Sequence, residues 1–146
     1  MPLKKINVAI AGATGFAGLD LVYLLSSHPY VKIQYLCAQK NLGKYINFFD
    51  KRIKKKLPKL CNLNQIDLKK VDLLFLSLPS GEAQKIIKKF IKFEHLKFID
   101  LSADFRIKNP KIFKSWYGIK HAAPALINKS IYSISEFVKK DIKNYQ

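Results

Sequence analysis

The segment Gly12-Ala13-Thr14-Gly15-Phe16-Ala17-Gly18 constrains this chain more than any other. It follows a short apolar run, Ile6–Ala11, and leads into residues 19–25, which have a helical pattern. Strand, glycine-rich turn and helix, in that order, is the context in which such glycines bind a phosphate. Gly12 suits a tight turn that an L side chain resists. Gly15 leaves the main chain bare for a diphosphate, and Gly18 lets the helix sit close to the strand. The first N–H groups of the helix and its positive dipole end then face the anion. The pattern points to dinucleotide binding; the alternative is a plain tight turn between a buried strand and a helix.

The rest of the chain alternates strand and helix. A first helix over residues 16–27 places Leu19, Val22, Tyr23 and Ser26 on one face and ends before His28-Pro29, where proline disfavours helix. Val31–Cys37 reads as a second strand. Residues 71–78 are continuously apolar apart from Asp72 and Ser77, as in a strand covered on both faces. Residues 82–91 form a helix with Ala83, Ile86, Ile87 and Phe90 together, and residues 97–101 form the next strand. Strands alternating with helices imply right-handed crossovers and a parallel sheet. The expected fold is therefore α/β, Rossmann-like and doubly wound, with a mostly parallel sheet. Residues 45–53 are expected to hold a helix, 57–68 something short, Pro110–Tyr117 a helix with proline in its first turn, and 136–142 another.

With 146 residues, 49% of them hydrophobic, the chain suits a single domain burying about 70% of its unfolded surface. No apolar run reaches the roughly 20 residues that span a bilayer. The basic start at Lys4 and Lys5 runs directly into the strand and glycine turn, so a signal peptide is not expected. A cytoplasmic location without membrane contact is. The net charge of +17 raises nucleic acid as a partner. Only Arg52 and Arg106 are arginine, however, whereas base readout favours arginine forks. The lysines are also dispersed, apart from residues 51–56. The reading is a solvated basic surface that attracts anionic metabolites, with no specific nucleic-acid partner. Cys37 and Cys61 make no disulfide framework and share no zinc spacing with His28, His95 or His121, so no metal is expected.

The end of the second strand selects the cofactor. An acidic residue there grips the ribose 2′-hydroxyl of NAD; its absence, with a basic residue nearby, suits the 2′-phosphate of NADP. The run Gln34-Tyr35-Leu36-Cys37-Ala38-Gln39-Lys40 holds no Asp or Glu, and Lys40 and Lys44 lie close. NADP is favoured, with Lys40 as the candidate contact; the alternative for each lysine is an ordinary surface position. Ligands also meet the carboxyl ends of the other parallel strands. One such end is Ser77-Leu78-Pro79-Ser80-Gly81, where Ser80 is suited to cap the next helix. Another is Ser102-Ala103-Asp104-Phe105-Arg106. The planar fork of Arg106 grips phosphate or carboxylate as lysine cannot; the alternative is a structural pair with Asp104.

In order along nearly the whole chain, G-A-T-G-F-A-G, L-S-L-P-S-G, F-I-D-L-S-A-D-F-R and W-Y-G-I-K-H-A-A-P-A-L resemble the N-acetyl-gamma-glutamyl-phosphate reductases, of the wider semialdehyde dehydrogenase group. The resemblance implies a role in arginine biosynthesis. NADPH reduces N-acetyl-glutamyl 5-phosphate to its semialdehyde with release of phosphate, through a thioester on a cysteine, with a histidine as acid or base. By motif, Gly12, Thr14, Gly15, Phe16 and Gly18 fall at the diphosphate, Pro79 and Gly81 at the cofactor, and Ser102 and Arg106 at the substrate end. The resemblance also implies that residues 1–146 are the NADP-binding domain, incomplete at its carboxyl end. On that reading the nucleophile of an Asn-Pro-Gly-Cys-Tyr segment, the assisting histidine and a substrate and dimerisation domain lie beyond Gln146. No catalytic residue is then expected in this chain, which would be inactive alone, while the full-length enzyme would be a homo-oligomer. Neither Cys37 nor Cys61 matches the nucleophile. Ser80 stands where the family usually has His, and Gln39 near its usual 2′-phosphate contact. His121 is expected to be a structural turn residue. Two alternatives stay open: a stand-alone nucleotide-binding or regulatory module, and a related acyl-phosphate reductase such as one of lysine biosynthesis.

Overall fold

The computed structural model describes residues 4–132, 135–138, 142 and 145. Five strands, β1 (Ile6–Ala11), β2 (Val31–Cys37), β3 (Leu60–Cys61), β4 (Leu73–Leu76) and β5 (Lys97–Asp100), form one sheet in the order β3-β2-β1-β4-β5. Every neighbouring pair is parallel. Helix α1 (Phe16–Ser26) connects β1 to β2, and α2 (Glu82–Phe90) connects β4 to β5. The expected doubly wound α/β fold is what forms.

Alternation along the strands builds two cores. Val8 and Ile10 of β1 and Phe75 of β4 face a layer with Val22 of α1, Ile33 and Leu36. Ala9 and Ala11, with Leu74 and Leu76, face the opposite layer with Ala83, Ile87 and Phe90 of α2. Burial of both faces explains why β1 and β4 are apolar without alternating polarity. Tyr23, expected on the inward face of α1, lies outside, with the Arg52 guanidinium 4.9 Å over its ring. The strand expected over residues 71–78 is shorter, Leu73–Leu76; Pro79 lacks an N–H for the ladder and the chain turns at Ser80 and Gly81.

The helix expected over residues 45–53 is a single 3-10 turn, Ile46–Phe48. Asp50 accepts the Arg52 backbone N–H at 2.9 Å, and such a local side-chain bond competes with the helical ladder. Ile46 and Ile53 are nevertheless buried against the α1-side core, which accounts for their helix-like apolar spacing. Leu60 and Cys61 supply the short element expected after residue 57, as the edge strand β3. Helix α3 (Pro110–Tyr117) begins with proline in its first turn and is capped by Asn109, whose Oδ1 accepts from the Lys111 and Ile112 amides. Of the helix expected over 136–142, Ser135–Val138 is helical and the remainder falls largely outside the described residues.

Candidate dinucleotide site

The sheet order reverses between β1 and β4, and ligands of open α/β sheets bind in the crevice outside the carboxyl ends of the strands at that point. The glycine turn stands there. The Gly12 and Ala13 amides both donate to the Cys37 carbonyl, at 3.0 and 3.1 Å, tying the turn to the end of β2. The Ser77 amide donates to the Ala11 carbonyl at 2.9 Å, tying it to the end of β4. Gly12 has φ of +79°, and a Cβ there would lie 1.9 Å from the Ser77 carbonyl oxygen. A Cβ on Gly18 would lie 2.1 Å from the Gly12 carbonyl oxygen. These two glycines are required by the fold itself.

Gly15 is different. It is exposed, its φ of −76° suits any residue, and a Cβ would meet only the Gly12 carbonyl oxygen at 3.5 Å, an ordinary contact. It is the N-cap of α1 yet supplies no capping side chain. The first helical bond runs from the Leu19 amide to the Gly15 carbonyl at 2.8 Å, so the amides of Phe16, Ala17 and Gly18 have no earlier carbonyl in the helix. Thr14 is half-buried beside them and Phe16 is 97% exposed. An uncapped helix start behind a bare glycine is a cradle that a Cβ would partly fill, and it fits an anionic diphosphate.

Lys40 is exposed three residues past the shared Cys37 carbonyl and makes no ion pair among the described residues. Its turn is fixed by β3: the Gly43 amide donates to Leu60 at 2.8 Å and the Leu60 amide to Lys44 at 2.9 Å. Lys44 lies with its ammonium 4.7 Å over the Phe48 ring. Among the described residues Lys40 has no such ring contact.

The turns after β4 and β5 are joined by Asp104, which is fully buried. Its carboxylate accepts from the Gly81 amide at 2.7 Å, the Gln84 amide at 3.1 Å and the Ser80 hydroxyl at 3.0 Å. Asp104 thus caps α2, the role expected of Ser80, which donates to it instead. Gly81, with φ of +93°, lies buried with its amide engaged, and Pro79 is exposed on the same turn. The Asp104 backbone carbonyl accepts from His121 Nε2 at 2.9 Å, and His121 Nδ1 accepts from the Ala123 amide at 3.1 Å. Both ring nitrogens are therefore engaged, and the ring packs edge-on against Phe105 and Phe113, as a structural turn residue does. Gln84 Oε1 accepts from the Ala122 amide. The sequence offers Asp104 only as a partner for Arg106 and gives no sign of Gln84, because the partners they bond lie 17 to 38 residues away.

Ser102 and Arg106 share the loop after β5. The Ser102 hydroxyl donates to Asp100 Oδ2 at 2.9 Å and accepts the Asp104 amide at 3.1 Å. Burial pushes the Asp100 carboxyl above the ordinary carboxylate range, against the opposing pull of its Ser102 hydrogen bonds. Arg106 is exposed; its Nε donates to the Ser102 carbonyl at 3.1 Å, and its guanidinium lies 5.5 Å from the Tyr132 ring centre. Its hydrogen bonds go to that loop's own carbonyls rather than to Asp104. Cys37 is buried and burial pushes its thiol up. Among the described residues no His, Cys, Asp or Glu gather in threes as a metal would require, and no helix is long and apolar enough to cross a membrane.

A five-stranded parallel sheet with this turn at its switch point defines a dinucleotide-binding domain, and the chain belongs to the semialdehyde dehydrogenase, NAD binding domain family, which it matches over residues 7–145. Among solved structures it is similar to aspartate semialdehyde dehydrogenase II of Vibrio cholerae (TM-score 0.56, 25% identity, 70% of this chain and 32% of that one). The fold also matches Candida albicans aspartate semialdehyde dehydrogenase, a structure with NADP (TM-score 0.56, 20% identity, 82% and 41%). More specifically, the chain is 43% identical over 141 residues to the N-acetyl-gamma-glutamyl-phosphate reductase of Ehrlichia canis and 36% identical over 139 residues to that of Paracoccus denitrificans. These matches cover 95% and 94% of this chain and 40% of each relative. The chain thus corresponds to an N-terminal portion of these reductases.

Proposed function

We propose that this chain is the cofactor-binding part of an NADPH-dependent reductase that converts N-acetyl-glutamyl 5-phosphate to its semialdehyde in arginine biosynthesis, in the cytoplasm. The observation that carries the cofactor reading is Gly15: a bare, exposed glycine that the fold does not require, in front of an uncapped helix. The relatives' shared name supports the substrate.

In this reading the amides around Thr14, Gly15 and Phe16 hold the diphosphate, with Gly12 and Gly18 keeping strand and helix close enough to form the cradle. Lys40 neutralises the 2′-phosphate, Pro79 and Gly81 shape the wall beside the cofactor, and Ser102 and Arg106 stand at the substrate end. The bound cofactor supplies a hydride. Arg106 presents its fork to the acyl phosphate from a loop whose shape Ser102 and Asp104 maintain. Cys37 is buried with its thiol pushed up, which does not suit a sulfur that must meet an acyl phosphate entering from solvent, and Cys61 matches no motif of the family; in this reading the nucleophile is supplied elsewhere in the enzyme. Trp116 and Phe137, exposed by 78% and 84%, support docking of a further domain and a homo-oligomeric whole enzyme.

Titration of the chain with NADPH and NADH tests the reading. Tighter binding of NADPH is expected, and Lys40→Glu should abolish the preference. Equal affinity of the parent chain for both cofactors would sink the 2′-phosphate assignment. Turnover of the acyl phosphate by this chain alone would refute the argument about the nucleophile. Light scattering that showed a monodisperse monomer would favour a stand-alone module over a part awaiting its partner domain.

A further inference from the structure

Two thiols face each other beside the glycine turn. Cys37 ends β2, Cys61 ends β3, and the two are register partners in the parallel pair. Their sulfur atoms lie 4.0 Å apart and neither is in a disulfide. Neighbouring strands run about 4.8 Å apart, inside the Cα separation of about 4.4–6.8 Å that a disulfide bridges. Cys61 is half-buried, on an edge strand of two residues. Cys37 is buried, and burial together with the adjacent Cys61 pushes its thiol up; its sulfur meets Cys61 as a neighbour at 4.0 Å.

The pair sits where it matters to the site. The Cys37 carbonyl holds the Gly12 and Ala13 amides, and the Cys61 carbonyl accepts the Ala38 amide at 3.0 Å. The turn bearing Lys40 is hung on the same short strand through Leu60. Closing the sulfurs from 4.0 Å to bonding distance locks the ends of β2 and β3 to each other, and those ends carry the glycine turn and the turn of Lys40.

We propose that Cys37 and Cys61 are a redox modification site, forming a reversible disulfide that weakens dinucleotide binding at the glycine turn. The coupling to binding rests on the cofactor reading above; the disulfide does not. With hydrogen peroxide as oxidant, the Cys61 sulfur attacks one peroxide oxygen, the O–O bond breaks, and sulfenic acid and water result. The Cys37 sulfur then attacks the Cys61 sulfur and displaces hydroxide, which leaves as water with the Cys37 proton. Two thiols lose two electrons and one peroxide becomes two waters. A dithiol reverses the bond by exchange. Reversibility fits a reducing compartment, where disulfides are transient and sensing rather than structural.

The test is intact-mass analysis and NADPH titration of the chain before peroxide, after it, and after re-reduction with a dithiol. The expected result is loss of two hydrogen masses with affinity about five- to tenfold weaker, the equivalent of about one hydrogen bond, both restored by the dithiol. Cys61→Ser should bind as the reduced parent does and show neither change. Oxygen adducts without the two-hydrogen loss, a disulfide with unchanged affinity, or the same loss of affinity in Cys61→Ser would each overturn the proposal. A reduced chain that binds no NADPH would overturn the cofactor reading and the coupling, while the mass change alone decides the disulfide.

Discussion

Alanine at Gly12 and alanine at Gly15 should have opposite consequences, although the two glycines lie in one turn. At Gly12 the φ of +79° costs an L residue about 1–2 kcal/mol. The added methyl would lie 1.9 Å from the Ser77 carbonyl oxygen and 2.8 Å from its carbon. Both are backbone atoms that cannot swing aside, and overpacking of this kind costs about 1–3 kcal/mol more. Gly12→Ala should thus lose about 2–5 kcal/mol, which at about 2 kcal/mol per molar in urea lowers the midpoint by about 1–2.5 M. At Gly15 the methyl meets one atom at 3.5 Å. Alanine loses about 0.5 kcal/mol as an N-cap relative to glycine and recovers about 0.4–1 kcal/mol by restricting the unfolded chain. The Gly15→Ala midpoint should stay within about 0.3 M of the parent, while its methyl intrudes on the diphosphate and weakens NADPH binding by about tenfold or more, about 1.4 kcal/mol. Urea unfolding followed by circular dichroism, with fluorescence titration of NADPH, measures both. Equal loss of stability in the two variants, or parental NADPH affinity in Gly15→Ala, would refute the division between a fold glycine and a ligand glycine.

The buried Asp104 carboxylate serves three donors, so Asp104→Ala should cost about 2–4 kcal/mol by the desolvation of unpaired groups and loss of a cap, and Asp104→Asn less; an unchanged unfolding midpoint would contradict its role. Asp100 holds its proton more tightly in the folded chain than its ordinary value of 3.8 allows. The folded state therefore binds more protons just above that pH, and this group's contribution falls as pH rises through its raised pKa. Asp100→Asn should flatten that limb of the stability curve and raise the melting temperature at pH 7, and a lower melting temperature would show the charge to be favourable. Retention of DNA on filters should fall away between low and physiological salt, as for a diffuse basic surface; sequence-selective retention at physiological salt would revive a nucleic-acid role.

The order of elements was legible because the doubly wound fold leaves a local signature: apolar strands, a glycine turn at the first crossover, and amphipathic α2. Residues 45–53 misled because Ile46 and Ile53 are anchored in the core without a helix between them. Side-chain burial has a period, but it does not reveal whether the backbone between two anchors is regular, and the Asp50 turn decided otherwise. At the site, the glycine motif is local and could be read directly. The cap of α2 could not, since Ser80 occupies the usual position while the buried acceptor arrives from the loop after β5. The facing of Cys37 and Cys61 was hidden for a related reason: β3 is two residues long, and its register follows from Leu36 and Leu60 rather than from any pattern of its own.

Whether the glycine turn holds the dinucleotide can be read from amide chemical shifts of the isotope-labelled chain during titration with NADPH. The largest changes should fall on Thr14, Gly15, Phe16 and Ala17, with Lys40 and its turn responding to NADPH more than to NADH. Changes centred on Lys54, Lys55 and Lys56, or spread evenly over the lysine-rich surface, would mean that the glycine turn only connects a strand to a helix.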